Sequence, residues 1–264
     1  MPGGDLITGM LGWSINLFRI RGIQLALHAS FLLLLAYVAF DGWNEGGWEQ
    51  MLWSVGILGA FFACVVLHEL GHSFTAMHFG VGVRRILLMP IGGMAEFDSI
   101  PRQPSREFLI TLAGPAVNFA IVAILWPLVG FGGDDYPADA TGFGQLLLNA
   151  NLWMGLFNLL PVFPMDGGRI LRAVLASRLP YLRATYWAAQ VGRILALLAG
   201  LIAAFVFRSY LTAVLFGFIY FAGQAEYRAV LRREREDAEW REMLARLAAA
   251  PPAVEPPLLN GPAP

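Results

Sequence analysis

The stretch Met51-Leu52-Trp53-Ser54-Val55-Gly56-Ile57-Leu58-Gly59-Ala60-Phe61-Phe62-Ala63-Cys64-Val65-Val66-Leu67-His68-Glu69-Leu70-Gly71-His72 decides how this chain is read. From Met51 to Leu67 it carries no charge, and the apolar character resumes after His72 as far as Phe79. Roughly twenty apolar residues in a helix cross ~30 Å of hydrocarbon, so the stretch reads as a membrane span with two imidazoles and a carboxylate near one end. Positions i and i+4 of a helix share a face, which lets His68 and His72 hold one metal ion. Glu69 falls beside them, where a carboxylate can take a proton from water. Ionisable groups inside a membrane are costly unless paired or metallated, and that makes these three residues functional candidates. The competing reading is a polar cluster that only glues helices together.

Working outward, the composition agrees with a membrane protein. Of 264 residues, 57 % are hydrophobic and 14 % charged, whereas soluble domains run near a quarter charged. The expected fold is an all-α polytopic membrane protein with about six transmembrane helices, near residues 23–40, 51–79, 107–131, 142–160, 185–207 and 210–225. Arginines collect before the first stretch, between the second and third, between the fourth and fifth, and after the sixth. That bias places both termini in the cytoplasm. A net charge of −1 offers no support for a nucleic-acid partner, and the single Cys64 excludes an internal disulfide or a cysteine metal site. The expected layout is a membrane domain over residues 1–227, a cytoplasmic helical tail over 228–250, and a Pro-rich disordered end over 251–264.

Between the second and third stretches, Val81 to Phe97 contains two short β-compatible runs around Pro90 and Gly92-Gly93. This predicts a small membrane-associated β-hairpin. A catalytic site built on two histidines needs a third protein ligand. The best candidate is Asp166, in Asn158-Leu159-Leu160-Pro161-Val162-Phe163-Pro164-Met165-Asp166-Gly167-Gly168-Arg169. The prolines stop the fourth span there and leave Asp166 on irregular chain at the cytoplasmic side, level with the histidine pair. Helix capping is the alternative role for Asp166. Asn118 faces either the site or a neighbouring helix. His28 is read as interfacial, His78 as turned away from the metal face, and Arg193 as snorkelling to the cytoplasmic surface.

These motifs together resemble the site-2 proteases, intramembrane zinc metalloproteases, and within them the compact bacterial and archaeal branch without CBS or PDZ domains. The likeness covers about residues 19–224 and rests on His68-Glu69-Leu70-Gly71-His72, Pro90-Ile91-Gly92-Gly93, Gly114-Pro115-Ala116-Val117-Asn118, and Asn158 through Gly168. Met165 stands where that family usually has Leu. The resemblance implies one Zn2+ per chain on His68, His72 and Asp166, with Glu69 as the general base. It implies that Asn158, with Asn118 as a further candidate, helps hold substrate or the developing oxyanion. The hairpin residues Ile91, Gly92 and Gly93 would pair with an unwound substrate strand. The implied substrate is a single-span membrane protein in the cell membrane among lipids, cut toward the cytoplasmic side; a homo-oligomer is left open. Other classes stay on the table: a metal-ion transporter using the same residues, or an inactive relative that only binds membrane helices.

Overall fold

The computed structural model describes residues 13–98, 102–131 and 140–249. Among them are four strands and six helices, so the protein is mostly helical with one small sheet. In chain order these are β1 (Ser14–Ile20), β2 (Ile23–His28), α1 (Ala29–His78), β3 (Val83–Met89), β4 (Gly92–Phe97), α2 (Pro104–Val129), α3 (Ala140–Asn158), α4 (Asp166–Ala176), α5 (Tyr181–Phe205) and α6 (Tyr210–Ala249). Three of them, α1, α2 and α5, are long and apolar enough to cross a membrane.

The 50 residues of α1 are not one rod. Gly46 and Gly47 have non-helical backbone angles, Gly47 with φ of 70° and ψ of −152°, a conformation open to glycine. Straight, α1 would separate Phe31 and Phe62 by about 46 Å at the helical rise, yet their rings meet edge to face at 4.6 Å. The chain therefore reverses at the glycine pair, and residues 29–45 pack back along residues 48–78. The two arms approach so closely that a methyl on Gly42 would lie 2.9 Å from Met51 Cα. The first stretch, expected to end near residue 40, runs on: residues 41–45 stay helical.

The sheet corrects a second expectation. Residues 23–28, assigned above to the first span, form β2. The sheet order is β1-β2-β3-β4, with β2 parallel to β3 and both outer pairs antiparallel. Arg21 and Gly22 both have positive φ (48° and 92°), which is what a two-residue turn between twisted strands requires. Ile23 and Leu25 bury their side chains with Ile86, Leu88, Phe62, Val65 and Leu70. The apolar run is thus satisfied by a protein core instead of lipid. His28 caps α1, accepting a hydrogen bond from the Ser30 N–H at 3.2 Å.

The expected hairpin is present as β3–β4, with Met89 paired to Gly92 and Leu88 to Gly93. It forms half of the four-stranded sheet and packs on α1. α2 contacts α1, α3 and α4, while α5 contacts α4 and α6. The Arg193 guanidinium reaches the Tyr220 hydroxyl on α6 at 2.5 Å and Gln190 at 3.3 Å, tying α5 to α6. α6 continues without a break to Ala249. The Pro-rich end, residues 251–264, lies outside the described residues.

The helical reversal makes a prediction with two signs. Gly42→Ala should lower the melting temperature by several degrees, the result of roughly 1–3 kcal/mol of overpacking. A methyl on Gly56 meets nothing within 4 Å, so Gly56→Ala should be neutral or raise it, since Ala favours a helix over Gly by about 0.5–1 kcal/mol. Thermal unfolding of the two detergent-solubilised variants checks both signs.

Candidate metal centre

His68 and His72 lie one turn apart on the second arm of α1, with side chains buried against α2. What allows that proximity is small residues on both helices. A methyl on Gly71 would lie 2.7 Å from the Ala113 carbonyl oxygen, so the backbones are nearly in contact there. Asp166 opens α4 after the Pro161–Pro164 segment. Its approach also depends on glycine: a methyl on Gly167 would lie 2.1 Å from the Leu160 carbonyl oxygen, leaving room for no side chain.

Hydrogen bonds define which imidazole nitrogens face inward. His68 Nδ1 lies 2.6 Å from Asn118 Oδ1, and His72 Nδ1 lies 2.8 Å from the Ile110 carbonyl oxygen. Both partners accept only, so each Nδ1 carries the proton and each Nε2 presents a lone pair. The two Nε2 atoms are 3.1 Å apart, and each is 3.2 Å from Asp166 Oδ2. Asp166 Oδ2 is buried with no hydrogen-bond partner. Three electron-rich atoms thus converge with no hydrogen between them, an arrangement that repels itself unless a cation sits among them. Zinc–nitrogen bonds of about 2.05 Å in a tetrahedron set ligand atoms about 3.3 Å apart, close to the separations found. The donor set suits zinc, and His68, His72 and Asp166 form the single group of three such ligands among the described residues. Asp166 does not cap α4: the cap position is Met165, and no side chain hydrogen-bonds there.

One face of α2 serves the whole centre. Ile110, Gly114 and Asn118 are all buried and recur at helical spacing. Ile110 fixes His72, and Asn118 fixes His68. Gly114 leaves the space beside the ligands free: a methyl there would lie 2.2 Å from His72 Nε2 and 2.8 Å from His68 Nε2. Asn118 is itself held, since its Nδ2 donates to Asn151 Oδ1 at 2.9 Å, and Asn151 Nδ2 donates to the Leu147 carbonyl at 2.8 Å. Asn118 therefore stands behind His68, fully buried; the substrate role offered for it above has no free surface to act from. Asn151 carries no distinguishing signal in the sequence. α3 carries four side-chain amides, Gln145, Asn149, Asn151 and Asn158, and nothing in the sequence singles out the one that meets Asn118.

Glu69 meets the hairpin. A methyl on Gly93 would lie 2.6 Å from Glu69 Cγ and 3.2 Å from Val65 Cγ1. Gly93 thus lets β4 lie directly on the helix turn that carries Glu69. Ile91, at the hairpin tip, is 86 % exposed. Asn158 ends α3 and donates its Nδ2–H to the Met154 carbonyl at 3.0 Å; no hydrogen bond joins it to His68, His72 or Asp166. His78 closes α1 away from the ligand group.

Residues 56–136 and 137–199 match the model of peptidase family M50. The chain belongs to that family. It is 40 % identical over 223 residues to a zinc metalloprotease of Methanocaldococcus jannaschii, covering 83 % of this chain and 62 % of that protein. It therefore spans about three-fifths of that relative's length, the 62 % just given. The solved structure of the site-2 protease from Methanocaldococcus jannaschii is similar at a TM-score of 0.57 and 38 % identity, over 81 % of this chain and 95 % of that one. Stage IV sporulation protein FB of Bacillus subtilis is 29 % identical over 192 residues, 68 % of this chain and 65 % of that protein. The resemblance drawn from the motifs is thereby borne out for peptidase family M50.

If α2 holds this M50 centre as described, Gly114→Ala should abolish metal binding in a protein that still folds. Asn118→Ala should weaken metal affinity by about 10- to 100-fold, the usual penalty for losing a histidine's outer partner. Metal content and chelator competition on the purified variants read both effects.

Proposed function

We propose that this chain is an intramembrane zinc metalloendopeptidase that cuts a single-span membrane protein within or near its transmembrane segment. The observation that carries this reading is the convergence of His68 Nε2, His72 Nε2 and Asp166 Oδ2 within 3.1–3.2 Å of one another, with Glu69 on the adjoining helix position. His68, His72 and Asp166 hold the zinc. When bound, zinc supplies Lewis acidity, lowering the pKa of a coordinated water toward ~7 and polarising a carbonyl.

The chain's own residues do the rest. Glu69 takes a proton from the attacking water and passes it to the leaving amine. Asn158, at the end of α3, donates to the developing oxyanion once its helix contact is exchanged. A helical substrate hides its carbonyls, so its segment unwinds and adds to the edge of β4 by main-chain hydrogen bonds. Support comes from two features of β4: it has no outer strand partner among the described residues, and Gly93 brings it against Glu69.

The helical hairpin in α1 supports a six-span arrangement: residues 29–45 and 48–78, then α2, α3, α5 and the first part of α6. Arginine placement puts both termini and the metal centre toward the cytoplasm. The domain layout remains a membrane unit to residue 227 with a helical tail beyond it.

Glu69→Gln should keep one zinc per chain and lose cleavage of single-span substrates by about 10²- to 10⁴-fold. His72→Ala and Asp166→Ala should lose both. Elemental analysis beside mass spectrometry of a single-span substrate panel separates these outcomes; cleavage by the Glu69→Gln protein at near the wild-type rate would refute the assigned base.

A further inference from the structure

Arg172 is 1 % exposed, two turns into the helix that Asp166 opens. Its Nε and NH2 reach Glu107 Oε1 at 2.7 and 2.5 Å, and its NH1 reaches Glu226 Oε1 at 3.0 Å. The guanidinium carbon lies over two rings, 5.3 Å from the Phe163 centroid and 5.2 Å from that of Tyr181. One side chain therefore joins α4 to α2, α5 and α6, and to the segment leading into Asp166. Removing a guanidinium from water is expensive, and the two carboxylates and two aromatic rings around it are what make it tolerable. Burial alone would pull its pKa down, yet the Glu107 carboxylate beside it holds it above the ordinary value.

We infer that the Arg172–Glu107 pair is a positioning strut that holds Asp166 against the histidine pair, and that Glu226 makes the strut depend on α6. This deepens the metal-centre reading and rests on it. Glu107 is one turn before Ile110 on the α2 face that fixes His72, leaves space at Gly114 and fixes His68. The same face thus orients both imidazoles directly and the third ligand through Arg172. The Arg172–Glu107 pair ties α4 to α2, while the ligand contacts of Asp166 join α4 to α1. α6 is also tied to the segment just before α2, where Arg102 meets Glu234 at 3.1 Å and Asp237 at 2.8 Å. A shift of α6 would pull on Arg172 through Glu226 and so on the third ligand. No residue of the strut touches the ligand atoms, so its effect is on their placement.

The test uses the full chain in detergent, stripped and then titrated with Zn2+ against a chromogenic chelator, with Co2+ absorption as a readout of ligand geometry. Wild type and His72→Ala establish whether the centre exists. Arg172→Met with Glu107→Leu removes both charges, leaves no unpaired buried ion against α2, and should fold with a melting temperature near that of wild type. Its metal dissociation constant should rise by at least about tenfold, with a changed cobalt spectrum. Unchanged affinity and spectrum would overturn the strut. Should that double variant fail to fold, Glu226→Gln decides: it alters a partly exposed carboxylate, should leave the melting temperature unmoved, and should weaken metal binding about threefold or more. Unchanged binding in Glu226→Gln removes α6 from the strut, or, where the double variant did not fold, overturns the inference. Wild type without metal, or His72→Ala that retains it, would instead overturn the metal-centre reading and the strut with it.

Discussion

The arrangement on which the rest depends is the meeting of two imidazole lone pairs and a carboxylate oxygen in an apolar helical interior. Left alone these atoms repel one another, and none has a water shell to relax into. Holding them together takes rigid support on every side, and α2 supplies most of it. Its buried face presents a carboxylate at Glu107, a carbonyl at Ile110, an absence of side chain at Gly114 and an amide at Asn118. Each is about one turn from the next. The helix works as a jig, and its chemistry changes from turn to turn because each turn meets a different part of the centre.

Glycine is the means by which backbone reaches that jig. Gly71 lets α1 touch α2, Gly114 leaves space beside the ligands, Gly167 lets α4 begin under the Leu159–Leu160 carbonyls, and Gly93 lets β4 lie on Glu69. At each of these four places even a methyl would come within 3 Å of a neighbouring atom. In a medium where lipid gives helices little hydrophobic reason to associate, close backbone approach is the main source of packing energy. The glycines therefore do two jobs at once, bringing the helices together and keeping the centre open.

Much of this was legible from residue order. The His68–His72 spacing, the hairpin around Pro90 and Gly92-Gly93, and Asp166 after two prolines each carry a local signal, and each names a residue the structure brings to the same place. What could not be read are the pairings made at long range. Residues 23–28 are apolar and precede a helix, so they look like the start of a span. Their strand character comes from parallel partners at residues 85–88, and no local pattern announces a partner that distant. The reversal falls at Gly46-Gly47, the last two residues of a turn-like stretch over residues 41–47, in which Asp41 and Gly42 carry the same turn composition as the true break. Asn151 is one of four amides on α3 and acquires meaning only where Asn118 faces it.

Arg172 shows the deeper difficulty. Counting arginines by loop is a general guide to orientation, and Arg172 enters that count. The same count treats every arginine as a solvated charge near a lipid surface. Arg169, Arg172, Arg178 and Arg183 look alike in sequence, yet Arg172 is almost wholly enclosed, with its fork on a carboxylate contributed 65 residues earlier. The difference lies in periodicity with respect to Asp166. Six residues along a helix place Arg172 about 120° off the line of Asp166 and roughly 9 Å further from the centre, where it meets Glu107 rather than the metal ligands. A charge that sets orientation while a chain is being inserted can thus become, once helices close around it, the part that holds a ligand in register.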